Sequence, residues 1–234
     1  MVNNELGNVY PIAEIAAGLS ARNPQTLLHT EWFHADCLAS YYGVAPLSEE
    51  HWRILENFIR AAGEEHGINM LLTPVFTPPL DTAVNGERLT VQLVDVRRDA
   101  GVYSFGFEKL GRWAGLCRRH GVEYLEIAHL FTQWGAHATP KIMAVVDGQE
   151  RRIFGWDVPA ASAEYRAFLE AFLPALRTRW RAWATTKSMC TTTSPTSRRP
   201  SIWIPTARPK PRRRICWRAA RSLTRSAALN FTGR

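Results

Sequence analysis

The chain has 234 residues, 46% of them hydrophobic, which permits one large globular domain or two small ones. Its formal net charge of +8 conceals two compositions. Residues 1–177 contain 21 acidic and 15 basic residues, for a net charge of −6, whereas the remainder contains 14 basic residues and no acidic one, which excludes an evenly charged single unit.

The cysteines and the N-terminus bear on the compartment. The spacing of Cys37, Cys117, Cys190 and Cys216 is typical neither of a metal site nor of a disulfide framework. Glu5 and Glu14 stand where a secretory signal would have lysine and an unbroken apolar run, and no later run approaches membrane-spanning length. We therefore expect a reduced, cytoplasmic protein with no membrane partner.

Residues 1–25 give few structural signals, and we assign them to a leader or to the remnant of an upstream domain. Asn23-Pro24 predicts a turn before a first strand at residues 26–36, TLLHTEWFHAD. Partial alternation in this strand separates two faces. One would carry His29, Glu31 and Phe33, and the other Thr30, Trp32, His34 and Asp36.

A first helix is predicted after Ser48, its N-cap residue, with an apolar stripe that ends before Gly67. The stripe consists of Trp52, Leu55, Ile59 and Ala62. Residues 68–76, INMLLTPVF, read as a strand covered on both faces. Two alternating runs, at residues 89–96 and 102–107, then predict a hairpin that leaves the central sheet.

A second helix is predicted at residues 108–119, with Leu110, Trp113 and Cys117 buried, and a strand with a polar end follows at residues 122–134. Asp147-Gly148 predicts the turn of a second hairpin, residues 142–146 against 151–154. Ser162 would cap a third helix, which Pro174 should kink or end. The buried stripe of that helix would be Tyr165, Phe168, Leu169, Phe172 and Leu176.

Three strand-helix units in succession predict part of a (β/α) barrel or of a doubly wound sheet. In both folds, ligands bind at the carboxyl ends of the strands. His129, Thr132, Gln133 and Trp134 end the third strand and are therefore candidate binding residues. Thr77 and Asp81, after the second strand, are weaker candidates because Pro78-Pro79 already explains that loop.

Trp32, His34 and Asp36 suit a sugar site, since an indole can stack on a sugar ring while polar groups bind its hydroxyls. Packing in the core would explain Trp32 and Phe33 equally well. His34 with Asp36, or His29 with Glu31, could be metal ligands, but no third ligand has a characteristic spacing. Glu123 and Glu126 could be catalytic only if they faced a barrel axis, and we favour solvated or capping roles for both.

Residues 178–234 are rich in Arg, Pro, Ser and Thr, which predicts a disordered basic tail. Arg212, Arg213 and Arg214, with Trp217 nearby, could bind nucleic acid non-specifically. Such an alternative function would show affinity that falls steeply with salt.

Four motifs in order resemble the catalytic domain of glycoside hydrolase family 123: TEWFHAD at residues 30–36, LTPVFTPPLDT at 72–82, HLFTQWG at 129–135 and PKIM at 140–143. The resemblance covers residues 26–177. It implies the N-terminal part of a TIM barrel, here three strand-helix units with hairpin insertions, in a retaining enzyme acting on β-linked N-acetylhexosamine, typically N-acetylgalactosamine, without a cofactor or metal. Trp32, His34, Asp36, His129, Gln133 and Trp134 would then bind the sugar.

The resemblance also implies a His-Ile-Ser-Asp-Glu-Pro-like motif on the next strand. In the family, the glutamate protonates the leaving oxygen and the aspartate orients the 2-acetamido group of the substrate, which acts as nucleophile. The chain has TTSPTS at residues 192–197 instead, so no catalytic residue can be assigned. With permissible codons for residues 177–198, a frame shifted by one nucleotide encodes a segment that ends in His-Ile-Ser-Asp-Glu-Pro. We therefore predict a one-nucleotide deletion near codon 177, an inactive chain, and a carbohydrate-binding module as the alternative function.

Overall fold

The computed structural model describes residues 2–3, 9–10, 27–80, 82–133, 135–182, 187–190 and 202–204. Four α-helices lie in these ranges: α1 (Ala35–Tyr42), α2 (Glu49–Arg60, continued by a π-helical turn, Ala61–Glu65), α3 (Glu108–Arg119) and α4 (Ala163–Ala182). The strands are β1 (Val2–Asn3), β2 (Val9–Tyr10), β3 (Thr30–Glu31), β4 (Met70–Thr73), β5 (Asp95–Asp99), β6 (Val102–Gly106), β7 (Tyr124–Ile127), β8 (Ile142–Val146), β9 (Gln149–Phe154), β10 (Lys187–Cys190) and β11 (Ile202–Ile204).

The central sheet has the order β3-β4-β7-β10-β11. Its first four strands are parallel and follow the order of the chain, and β11 pairs with β10 in the antiparallel sense. Met70 is the partner of Thr30 on one side and of Tyr124 on the other, so the three strands of the predicted units are aligned at the same level. Their carboxyl ends consequently lie along one edge of the sheet.

Helices α2, α3 and α4 form one hydrophobic core with one face of the central sheet. Their buried side chains belong to the same cluster as Leu71, Leu125 and Ile127, the alternate residues of β4 and β7. All the predicted helical stripes are buried: Trp52, Leu55, Ile59 and Ala62 on α2 and its π-helical turn, Leu110, Trp113 and Cys117 on α3, and Tyr165, Phe168, Leu169, Phe172 and Leu176 on α4. Both predicted serine caps are present, because Ser48 Oγ accepts from the N–H of His51, and Ser162 Oγ accepts from that of Tyr165.

The two predicted hairpins are present, and they join into a second sheet with the order β6-β5-β8-β9. Each hairpin follows a strand of the central sheet, β5 and β6 after β4, and β8 and β9 after β7. The inner strands of the two hairpins pair in parallel, with Arg97 opposite Val145. Residues 89–94, predicted as strand, precede β5 without joining the ladder. The Gln92 side chain takes the place of strand pairing here, because its amide group bonds to the main-chain N–H and C=O of Met143.

The first predicted strand is partly wrong. Only Thr30–Glu31 pair with β4, and Ala35 begins helix α1, so Asp36 lies in a first helical turn and not on a strand face. The N-cap residue is His34, which makes no capping side-chain bond. Because histidine is not one of the residue types that usually cap a helix, the sequence carries no signal for the start of α1. The end of α1 is more typical, since Gly43 adopts the left-handed conformation at φ +63°.

Two expectations about the end of the chain also change. Helix α4 does not end at Pro174 but continues to Ala182, and Thr178 Oγ1 donates to the carbonyl of Pro174 within it. The prediction that the whole of residues 178–234 is disordered is wrong for the described residues of β10 and β11, which extend the central sheet. These short strands satisfy main-chain hydrogen bonds at the edge that β7 would otherwise expose.

The architecture of the described residues is therefore a mixed α/β fold built on an open sheet, and these strands do not close into a barrel. Within the same ranges, no helix combines the length and hydrophobicity that crossing a membrane requires. The prediction of a leader or domain remnant at residues 1–25 falls outside the described part of the chain, apart from β1 and β2, which form a separate two-stranded pair.

Candidate functional site

Two of the predicted site residues come together at the edge formed by the strand ends. Trp32 directly follows β3, and one residue, Ala128, separates His129 from the end of β7. Their ring centroids are 5.3 Å apart with an interplanar angle of 84°, an edge-to-face contact. Trp32 is 41% exposed, whereas His129 is buried at 5%. The arrangement leaves part of the indole open to solvent while the ring contacts a buried imidazole.

Glu126 is a site residue that the sequence reasoning missed. It lies on β7, is only 2% exposed, and its Oε2 accepts hydrogen bonds from Thr30 Oγ1 and Trp32 Nε1, each at 2.7 Å. The preferred expectation of a solvated or capping charge is wrong for Glu126, although Glu123 is exposed as expected. A signal was present in the alternation of β7, because Leu125 and Ile127 pack on the helices and Glu126 must therefore face the other way.

Asp36 forms a buried ion pair with Arg88. Its Oδ2 accepts from Arg88 Nε at 2.8 Å and its Oδ1 from Nη2 at 3.1 Å, while Arg88 Nη1 donates to the carbonyl of Leu80. The side chains of Arg88 and Asp36 are 13% and 7% exposed. The contacts of Asp36 thus connect the start of α1 to the loop that follows β4. A direct role for this carboxylate in sugar binding stays a prediction.

The other predicted residues are more dispersed. His34 is half-buried at the start of α1. Gln133 Nε2 lies 3.5 Å from the carbonyl of Pro79, at the limit of a hydrogen bond, so it faces the loop after β4. Trp134 and Asp81 lie outside the described residues. The strand ends therefore bring together Trp32, His129 and Glu126, and hold Gln133 and Asp36 through neighbouring loops.

The end of β7 is supported by helix α4 and by a closed loop. Tyr165 Oη donates to the carbonyl of Leu130 at 2.5 Å, and burial raises the pKa of Tyr165, which keeps the phenol protonated as a donor. Thr132 closes the loop, because its Oγ1 accepts from the N–H of Ala138 while its own N–H donates to the carbonyl of Ala138. Thr132, the residue before Gln133, is consequently held against Ala138.

Another cavity lies elsewhere in the described part of the chain. It has a volume of about 640 Å³, lies against the second sheet, and is lined by none of the predicted site residues. Several of its polar groups already bond to one another or to the backbone: Lys109 Nζ bonds to Asp95 Oδ1 at 2.6 Å, and the Gln92 amide bonds to the backbone. We therefore place the candidate site at the strand ends, where polar groups surround an exposed aromatic ring.

Metal binding was an alternative for His34 with Asp36 or His29 with Glu31. Among the described residues, no group of three or more His, Cys, Asp or Glu side chains could hold a metal ion. Asp36 already binds Arg88 through both oxygens, which removes the carboxylate that the first of these pairs would need.

The comparison with protein families agrees with the motifs at these strand ends. The model of the family described as glycoside hydrolase 123, catalytic domain, matches residues 32–195, a range that begins at Trp32, contains Glu126 and His129, and continues beyond the domain end predicted at residue 177. A search of curated proteins finds no match. The family match covers more than half of the chain, and the chain therefore belongs to the glycoside hydrolase 123 catalytic-domain family.

Proposed function

We propose that the chain derives from a retaining N-acetyl-β-galactosaminidase and, as its sequence stands, binds the sugar without cleaving it. The observation that carries this proposal is the partly exposed Trp32 ring, which is in edge-to-face contact with the buried His129 at the strand ends of a glycoside hydrolase domain. An aromatic face of this kind stacks on the apolar face of a sugar ring, while neighbouring polar groups bind its hydroxyls. The proposed substrate class is β-linked N-acetylhexosamine.

The proposed inactivity follows from the chemistry that cleavage needs. A retaining reaction of this class requires an acid to protonate the leaving oxygen and a carboxylate to orient the acetamido group of the substrate. The family resemblance locates both on the next strand of the barrel, beyond the hairpin β8-β9 and helix α4, but no aspartate or glutamate follows Glu170 in this chain. Glu126 and Asp36 do not replace them in the proposal, because each is already an acceptor for side chains of the scaffold.

The same proposal includes a barrel ancestor. Before codon 177, three parallel strands, β3, β4 and β7, lie in sequential order with α2 and α3 packed on one face. This arrangement is expected at the start of a (β/α)8 barrel and differs from a doubly wound sheet, whose strand order reverses. A one-nucleotide deletion near codon 177 would explain both the absence of the Asp-Glu motif and the abrupt change in charge after that residue.

Restoring the reading frame tests the proposal directly. The chain as written should release no aryl alcohol from an aryl N-acetyl-β-galactosaminide, whereas a gene with one nucleotide inserted at codon 177 should encode the Asp-Glu pair and hydrolyse the same substrate. Activity in the unmodified chain would refute the proposed inactivity. If the DNA in the shifted frame lacks the Asp-Glu codons, the deletion hypothesis fails.

A non-catalytic carbohydrate-binding module is the second candidate, and the exposed indole favours it equally. Calorimetric titration with N-acetylgalactosamine and with a β-linked disaccharide should detect binding to the chain as written under either proposal. The restored gene separates the two. An ancestor that was a binding module would yield a product that binds these sugars and leaves the aryl glycoside intact.

A further inference from the structure

We propose that Glu126 is a positioning residue that fixes the indole of Trp32 as the stacking surface of the sugar site. The inference rests on the proposed function, since it assigns a role within the same site. A single carboxylate oxygen, Glu126 Oε2, accepts from both Thr30 Oγ1 and Trp32 Nε1 at 2.7 Å. These donors lie on β3 and immediately after it, so one side chain of β7 fixes the end of another strand.

The sheet register explains how Glu126 reaches Trp32. Strand β4 separates β3 from β7, and Leu72 on β4 is the register partner of Glu126. Thr30 is at the level of Met70, two residues earlier on β4, and Trp32 follows Thr30 by two residues. The Glu126 side chain therefore crosses over the β4 position of Leu72 to meet the indole N–H.

Two contacts at different points restrict the indole. The hydrogen bond to Glu126 holds the Nε1 edge, and the edge-to-face contact with His129 supports the ring. A tryptophan that is 41% exposed would otherwise exchange between side-chain rotamers, and ordering it upon binding would cost conformational entropy. Because the ring is held before the ligand arrives, that cost is already met in the folded protein.

The charge of Glu126 fits this role. A buried carboxylate is unfavourable unless hydrogen bonds satisfy it, and hydrogen bonds to an ionised acceptor are stronger than those to a neutral one. A glutamine could present its amide oxygen to the same two donors, although more weakly. An alanine could not, and it would leave Trp32 Nε1 without this acceptor. The Gln and Ala variants therefore separate the hydrogen bond from the mere presence of a charge.

The test uses ¹⁹F NMR of the full chain labelled with 5-fluorotryptophan. The chain has nine tryptophans, each of which contributes one ¹⁹F resonance. The Trp32 resonance is identified as the one lost in Trp32→Phe. In Glu126→Ala, this resonance should shift and broaden while the others keep their positions, and the affinity for N-acetylgalactosamine should fall about tenfold, as expected for loss of a hydrogen bond to a charged group. Glu126→Gln should restore most of both properties.

Glu123→Ala is the matched control, because Glu123 is an exposed glutamate three residues earlier. It should leave the Trp32 resonance and the affinity unchanged. An unchanged Trp32 resonance in a folded Glu126→Ala variant would overturn the inference. A shift of many tryptophan resonances in Glu126→Ala, without restoration by Gln, would also overturn it, since it would assign Glu126 a general structural role. If the unmodified chain binds no sugar while the Trp32 resonance still responds to Glu126→Ala, the proposed function fails and the positioning of the ring stands.

Discussion

The two faces of the central sheet differ sharply, although the same short strands form both. The face towards the helices carries Leu71, Leu125 and Ile127, which are all buried in the main hydrophobic cluster. The opposite face carries Leu72 and Glu126, and it connects to Thr30 and Trp32 by hydrogen bonds. Side chains alternate between the faces along each strand, so alternation separates the side chains that join the main core from those that approach the candidate site.

The strongest test of this difference is Leu125→Ala on the helix face. Leu125 has no exposed surface, so the substitution should create a cavity and lower the free energy of unfolding by about 3–4 kcal/mol. Urea denaturation followed by circular dichroism measures the loss. Leu89→Ala is the control, because Leu89 is 43% exposed and its removal should cost less than about 1 kcal/mol. Equal losses in the two variants would contradict the assignment of the helix face as the core.

The buried ion pair at the strand ends should have the next largest effect. Arg88→Met leaves Asp36 charged and buried without its partner, and we expect a loss of about 2–3 kcal/mol, somewhat below the usual range because both side chains retain some solvent contact. Asp36→Asn with Arg88→Met should recover part of this loss, since no uncompensated charge remains. Urea denaturation of the two single variants and the double variant forms the cycle. Additive losses would show that the two residues are not coupled.

Trp32 offers the reverse test, a large effect on binding with a small effect on stability. Its ring is partly exposed, so Trp32→Ala should lower the free energy of unfolding by only about 1 kcal/mol. It should nevertheless abolish measurable binding of N-acetylgalactosamine in a calorimetric titration. Tyr41→Ala is the control, because Tyr41 is an aromatic residue 83% exposed on α1, and both properties should be unchanged. Retained sugar affinity in Trp32→Ala would move the site away from this edge.

Periodicity in the sequence was sufficient to predict the helix face. The stripes of α2 and α3 repeat every three or four residues, and that of α2 lies between clear start and stop signals, Ser48 and Gly67, so local interactions determine these helices. Helix α1 was missed for the complementary reason. His34 provides no capping bond, and TEWFHAD has enough alternation to resemble a strand, whereas in the fold Asp36 is held in the first helical turn by its ion pair with Arg88. That contact joins distant parts of the chain and leaves no local pattern.

The candidate site was predictable only in part. The strand-end rule selected His129, and the structure places this residue beside Trp32, because parallel strands align their carboxyl ends. The rule could not show that Glu126 would meet Trp32, since this contact depends on the order and register of β3, β4 and β7. The preference for a solvated glutamate followed the usual behaviour of that residue type. In a sheet covered on one face by helices, alternation is the better guide.

A buried polar group on the helix side is costly unless it is hydrogen-bonded, and His51 allows this cost to be tested with the smallest expected effect. Its Nδ1 accepts from the N–H of Leu47 at 2.9 Å and its Nε2 donates to the carbonyl of Ala35 at 3.0 Å, so the bond at Nδ1 requires the neutral ring. Burial lowers the pKa of His51 below its ordinary value of 6.5. Above pH 6.5 the ring is neutral in both the folded and the unfolded chain, and its contribution to stability is complete.

As the pH falls below 6.5, the unfolded chain takes up a proton at His51 before the folded chain does. The free energy of unfolding should therefore fall with decreasing pH, by at most about 1.4 kcal/mol per pH unit from this group, until the pH reaches the lower folded-state pKa. Urea denaturation at pH 7.5, 6.5 and 5.5 measures how the free energy of unfolding depends on pH. The variant His51→Asn cannot titrate at this position, so its comparison with the unmodified chain separates the contribution of His51 from that of the other histidines. The variant should be less stable at pH 7.5 but should lose less stability on acidification. The same pH dependence in both proteins would show that His51 protonates as readily in the folded chain as in the unfolded chain. The helix side of the sheet would then tolerate a buried charge, which contradicts the difference drawn between the two faces.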